Sequence, residues 1–355
     1  MANLWQYTTY GNVSDVLTAL DTWLVNTMGY TRNCAPTADT TTYTGAKAHY
    51  QYTFQTGETI YLNFHTDTVN AKLYLTTSTA YSSSLGWNTQ AGTAKVLSGD
   101  VIYGFVVLPA ATVTTPATSN NALYLFGDSK GNCQLFVQRG ATLDIHDFMH
   151  WGLMDKSGFG TWAGGQYFGG WTMQRTDGTK FAPTLDCASG TNENPCGAIY
   201  MTNDSITNWA AIKTFIQPDQ YHVGEPSSTI GTTSSTWSSI IVGSNTTSNS
   251  LGNWKCADTD NYLYDSFPSR VDITSEYFMS GHVNAITGKI VPTAGPLYWV
   301  RHEATQRLSL IGRIPFGYQL PVSSIYKSIA PGTVFMYNGK KLVSMGNIAA
   351  EQVAV

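Results

Sequence analysis

Charge is what this sequence has least of. Its 19 Lys+Arg and 23 Asp+Glu make up 12% of 355 residues, against about 25% in ordinary globular chains. A formal net charge of −4 offers no basic field to hold phosphates, which argues against a nucleic-acid binder. Long apolar runs are missing too. The longest lies around Val101–Ala111, is interrupted by Gly104 and Pro109, and falls short of the ~20 residues a bilayer-spanning helix needs. No membrane partner is expected. Met1 to Asn12 has neither a basic segment nor an apolar run of about 7–15 residues, so a classical signal peptide is not expected and the chain reads as a soluble product of the cytosol. The five cysteines, Cys34, Cys133, Cys187, Cys196 and Cys256, are widely scattered and form no CxxC, so neither a zinc site nor any other metal or cofactor is expected. Cys187 and Cys196 flank a Gly/Asn-rich loop and could pair under oxidising conditions; free thiols are the expectation for a cytosolic product.

The space left by charge is filled by Thr, Ser, Asn, 33 glycines and an aromatic share of 13%, including 21 Tyr and 10 Trp. At 42% hydrophobic the chain can bury a core, which excludes whole-chain disorder.

One amphipathic helix is predicted near the start. Val13, Val16, Leu17, Leu20, Trp23 and Leu24 recur at helical spacing, Asn12 or Ser14 can cap the N-terminus, Asp15 suits its positive end, and Gly29 supplies a stop. From Ala46 the period changes to that of strands. Tyr50–Phe54, Thr59–Phe64, Lys72–Thr76 and Val101–Leu108 are predicted strands. Leu123–Phe126 and Gln134–Gln138 read as a hairpin, and Thr142–Met154 as a long strand. One strand is expected within Trp237–Val242, between Ser/Thr/Gly/Asn-rich loops. Leu297–Val300, Leu308–Ile314 and Thr333–Tyr337 follow, and Asn338-Gly339 joins the last to Lys340–Ser344 with the strongest short hairpin signal in the chain. The expected fold is mainly β with one N-terminal helix. A small α+β module (residues 1–110) and a Pro/Ser/Thr-rich connector (111–121) precede a larger β-sandwich-like body (122–355), which carries a loop-rich insertion around 177–292.

Several motifs approach known chemistry without completing it. Gly127-Asp128-Ser129-Lys130-Gly131 matches G-x-S-x-G, but that nucleophile elbow needs a helix after the serine, and the residues after it are β-like. His146 and His150 are four apart as in a helical zinc site, with Asp147 where a protease base would be Glu. On a strand the two would be ~13 Å apart, too far for one metal. Asp258, Asp260 and Asp265 begin like a calcium loop and lack its glycine and closing glutamate. Asp258, Asp260, Asp265, Asp272 and Glu276 could supply a glycosidase pair, but nothing in the sequence brings two of them together. Gly158, Gly160 and Gly164 lack dinucleotide-loop spacing, and no lysine-bearing phosphate loop exists. The aromatic–glycine stretch around Trp162, Tyr167, Phe168 and Trp171 is the candidate contact patch. Such rings fill cores and interfaces, and they also stack on sugars.

A series of short motifs resembles tailed-bacteriophage virion structural proteins. It runs from the helix Leu17 to Gly29-Tyr30 through Tyr61-Leu62-Asn63-Phe64, then Leu73-Tyr74-Leu75 with Ser78, Tyr81 and Trp87. It continues at Phe126-Gly127-Asp128, Phe136-Val137, His150-Trp151-Gly152, Gly164-Gly165-Gln166-Tyr167 and Pro331-Gly332-Thr333, and lapses from Asp177 to about Pro292. The resemblance implies a non-enzymatic component of a phage tail, baseplate or neck, assembled in the host cytoplasm into the virion. It brings no catalytic residues. The implied partners are other virion proteins, tail, baseplate, neck or capsid subunits, and further copies of the chain. The alternatives are a glycan-binding receptor-recognition protein meeting a host surface glycan, and a capsid decoration protein.

Overall fold

A computed structural model describes residues 3–94, 104–107, 121–138, 145–156, 163–175, 181–183, 197–202, 209–214, 240–243, 293–294, 297–302, 307–313, 317–319, 332–337, 339–344 and 348–354. The protein is mainly β, with a single helix near its N-terminus among the described residues. A short strand β1 (Trp5–Thr9) leads into α1 (Val13–Asn26). Asn12 caps the helix: its side chain accepts from Ser14 N and Asp15 N, and the Asp15 carboxylate accepts from Asn12 N at 3.0 Å, a reciprocal capping box. The six apolar positions read from the sequence are all buried. Past the helix Gly29 takes φ +74°, and Tyr30 N donates to Leu24 O at 2.9 Å.

β2 (Thr31–Asp39), β3 (Gly45–Thr53), β4 (Thr59–Asp67), β5 (Lys72–Ser78) and β6 (Gly104–Val107) form an antiparallel sheet in chain order. Its period-2 pattern sorts side chains cleanly. Ala48, Tyr50, Ile60, Leu62, Phe64, Leu73 and Leu75 form one buried apolar face, which joins the core with α1. Lys47, His49, Asn63, His65, Tyr74 and Thr76 lie on the other.

The second sheet starts at β1, which pairs with β7 (Ala122–Gly127), and continues through β8 (Cys133–Gln138) and β9 (Ile145–Leu153). β10 (Asp155–Lys156) lies at its far edge, while β11 (Ala163–Arg175) pairs with β9. Beyond β11 the order is Gly197–Thr202, Trp209–Thr214, Ile240–Gly243, Leu297–His302 and Arg307–Arg313, with one parallel pair, Ile240–Gly243 beside Leu297–His302. Phe181–Pro183 adds to β11 off this path. A five-stranded C-terminal sheet contains Val334–Tyr337, Lys340–Ser344 and Ile348–Glu351 and has a small core of its own, Leu342 with Ala349. Tyr337 pairs with Lys340 across the hairpin the sequence predicted, and Gly339 takes φ +77°.

The structure adds to the expected organisation in two respects. First, several strands were not predicted, among them Trp5–Thr9, Thr31–Asp39, Ala163–Arg175 and, inside the stretch read as a loop-rich insertion, Gly197–Thr202 and Trp209–Thr214. Second, side chains from both sides of the 111–121 connector share one apolar core. Val16, Leu20 and Trp23 of α1, Leu62 and Phe64 of β4, Leu123 and Leu125 of β7, and Met149 and Trp151 of β9 belong to one apolar cluster. Phe64 meets Trp151 edge-on, with ring centroids 5.7 Å apart. β1 and β7, from either side of the connector, are hydrogen-bonded neighbours.

Candidate functional site

The residues singled out from the sequence fall mostly into structural roles. Ser129 sits exposed in the β7–β8 hairpin loop, and a strand follows it where an elbow needs a helix. The loop is knitted by its neighbours. Asp128 Oδ1 accepts from Lys130 N and Asn132 N, both at 2.9 Å, Asp128 Oδ2 accepts from Asn132 Nδ2, and Asn132 Oδ1 accepts from Leu153 N at 2.7 Å. His146 and His150 lie on strand β9, not on a helix. His150 is buried against Tyr167, ring centroids 5.3 Å apart, and burial pushes its pKa down to about 3. Cys133 is buried beside the Tyr30 hydroxyl, and desolvation raises its thiol pKa, the reverse of what a nucleophile needs.

Tyr167 and Phe168 are fully buried within the chain, so these two rings of the candidate patch fill the interior and present nothing outward. Trp171 lies on β11 opposite Phe148, and Trp162 lies outside the described residues. The run of glycines there serves the sheet. Gly164 and Gly165 take φ +94° and +108° where the β11 register shifts against Gly197–Thr202, a bulge that a residue with a Cβ would strain. Cys187, Cys196, Asp258, Asp260, Asp265, Asp272 and Glu276 lie outside the described residues, and Cys34 and Cys133 are free thiols. No group of three or more metal-ligating side chains occurs among the described residues.

Among the described residues, a set of buried ionisable groups that the sequence did not single out lies on the polar face of the first sheet. Register places His49, Asn63 and Thr76 in one row across β3, β4 and β5, and Lys47, His65 and Tyr74 in the next. His49 Nδ1 bonds Asn63 Oδ1 at 2.8 Å. Asn63 Nδ2 donates to Ser78 Oγ at 3.1 Å, and Ser78 Oγ donates to Ala80 O at 2.9 Å. His65 is fully buried, with Nε2 3.8 Å from Asp39 Oδ2; Lys47 Nζ lies 3.7 Å from the same oxygen. The other Asp39 oxygen accepts from Thr41 N and Thr41 Oγ1, closing a turn at the end of β2.

Residues 79–94 cover this face as a strap without regular secondary structure. Trp87, fully buried, stacks at a tilt 5.1 Å from His65 and 5.5 Å from Tyr74, while Tyr43 lies parallel to Tyr74 at 4.8 Å. Tyr81 of the strap covers His49 at 5.0 Å. The strap is held by Thr76 Oγ1 donating to Trp87 O, by Ala94 N to Thr77 O and by Thr79 N to Ala91 O. Gln90 shapes it from within, accepting from Ser82 N and donating to Ser82 O, Leu85 O and Gly86 O. Burial holds both histidines below their ordinary pKa of 6.5, against opposing help from Asn63 for His49 and from Asp39 for His65. For Asp39, desolvation pushes upward, but the Thr41 bonds together with Lys47 and His65 outweigh it and keep the carboxylate ionised. Such an arrangement can take up or release protons; it leaves His65 no path to a substrate while the strap is closed. No family model and no curated protein matches the chain.

Proposed function

We propose that this chain is a structural component of a tailed-phage virion, in the tail, baseplate or neck, and that it works by binding copies of itself and companion subunits rather than by catalysis. The observation that carries this reading is the series of motifs from Leu17-to-Tyr30 to Pro331-Gly332-Thr333 that resembles such proteins. A charge content of 12% supports it, because association surfaces deplete charge at their centres. Apolar side chains exposed on outermost strands support it as well. Tyr7 on β1 is 54% exposed beside Tyr124, and Val334 and Met336 on Val334–Tyr337 are 48% and 65% exposed. Strand edges of this kind are a hazard for a lone protein and are covered by neighbours in an assembly.

Mass spectrometry of purified particles tests the proposal: peptides of this chain are expected at stoichiometric abundance, and their absence from the mature virion overturns it. Light scattering of the isolated protein is expected to find an oligomer. The glycan-binding alternative is left with Trp162 and Trp171, because the other two rings of its patch are buried. Particles that assemble yet lose adsorption on Trp162→Ala or Trp171→Ala would favour it.

A further inference from the structure

The polar face of the first sheet is unusual in that its cover is a strap of turns, and the group beneath the strap's one tryptophan is a histidine. His65 is fully buried beneath Trp87, so a charge on its ring must be held away from water. The nearest carboxylate, Asp39, offers an oxygen at 3.8 Å that Lys47 Nζ approaches at 3.7 Å. The backbone of Asp39 and Thr66 adds weak polar contact.

We propose that residues 79–94 are an acid-released strap: proton uptake by His65, enclosed beneath Trp87 beside an already paired Asp39, opens the strap and uncovers the polar face of the first sheet.

The groups facing His65 from each packed element are Asp39 of β2, Lys47 and His49 of β3, Asp67 of β4, Lys72 and Tyr74 of β5, Tyr43 from the turn before β3, and Trp87 and Tyr81 of the strap. Asp39, held below its ordinary pKa, stays ionised between pH 7 and 5, and histidine is the side chain whose ordinary pKa lies in that range. His65 and His49 are therefore the groups that change. Closure keeps the His65 pKa below 6.5, whereas an opened strap returns it to water and toward 6.5. Stability of the closed form is thus fully present above pH 6.5 and declines as pH falls toward the pKa of the enclosed ring. One proton sets the steepest slope, a tenfold rise in the opening constant per pH unit.

The test is hydrogen–deuterium exchange on the full chain, expressed as protection factors so that the intrinsic pH dependence of exchange is removed. Protection over 79–94 is expected to fall by up to about tenfold per unit between pH 6.5 and 5. In His65→Gln, which keeps a polar side chain of similar length without a titrating ring, that fall is expected to disappear. Flat protection in the wild-type protein overturns the proposal, as does an unchanged slope in His65→Gln. A slope abolished by His49→Gln alone also overturns it. Should His65→Gln fail to fold, Asp39→Asn decides: losing the carboxylate makes the charged ring costlier under the strap, so the ratio of protection at pH 7 to that at pH 5 is expected to rise. A ratio that falls overturns the proposal.

Discussion

Tyr52 lays its ring where Gly131 would carry a side chain. A Cβ there would stand 2.2 Å from Tyr52 Cε1, and Gly131 has φ +91°. The ring cannot step aside, because Tyr30 and Phe54 flank it at 4.8 and 5.2 Å, and Tyr30 OH donates to Gly131 O at 2.7 Å. Strain and overpacking therefore add, and Gly131→Ala is expected to cost about 2–4 kcal/mol in urea denaturation. The same glycine read from sequence as one end of a serine motif is thus a packing site for an aromatic ring. His150 carries a second prediction. It is buried with a pKa of about 3, while the unfolded chain returns it to 6.5, so neutral burial contributes stability that is present above pH 6.5 and lost as pH falls toward 3. The loss amounts to something on the order of 5 kcal/mol. His150→Gln should lose markedly less stability than wild type between pH 7 and 4 in matched denaturation curves; equal losses would assign acid sensitivity elsewhere.

Among the elements, α1 depends on its first turn. Asn12→Ala removes the acceptor for Ser14 N and Asp15 N and is expected to cost about 1 kcal/mol, whereas Asn12→Asp should be nearly neutral. This helix was legible because an apolar stripe and a cap coincide within a few residues. β4 and β5 were legible for the corresponding reason, since Ile60, Leu62 and Phe64 alternate and Leu73 and Leu75 follow suit. β2 was not. It is an outermost strand with little buried surface, it carries Pro36 inside it, and its register against β3 shifts twice, so no period-2 signal survives. β1 is only five residues long and mostly half-exposed, and its pairing comes from β7, more than a hundred positions away. The polar cluster was hidden differently. Asp39, His49 and His65 are spread over three strands, and on an alternating strand a polar position reads as solvent-facing. What buries them is the strap, whose Ser, Thr and Gly composition reads as an open loop. Its large apolar residues are Tyr81, Leu85 and Trp87, and of these Tyr81 and Trp87 entered the sequence reading through the resemblance alone. Gln90→Ala removes the four hydrogen bonds that shape the strap and is expected to raise amide exchange across residues 82–90 while the β3–β4 ladder keeps its protection.

For the whole molecule, the consequential feature is that α1 touches both sheets. Its Trp23 lies against Gly127 at the end of β7, where Met28 also packs, while the same helix lies over β3, β4 and β5. Sequence could not show this, because the 111–121 connector looks like a boundary in composition, whereas the apolar cluster that ignores it is assembled from side chains far apart in the chain. If the cluster is one cooperative unit, damage to the helix must be felt equally on both sides of that connector. Leu20 is fully buried in it, and Leu20→Ala is expected to cost about 2–5 kcal/mol. Native-state hydrogen exchange separates the possibilities: one unit requires the most protected amides of β3–β5 and of β7–β9 to lose the same free energy, because both open only by global unfolding. Two units with a shared contact would lower β3–β5 and leave β7–β9 at wild-type protection. The single cluster joining Phe64 to Trp151 favours the first outcome, and the second would restore the boundary that composition alone suggested.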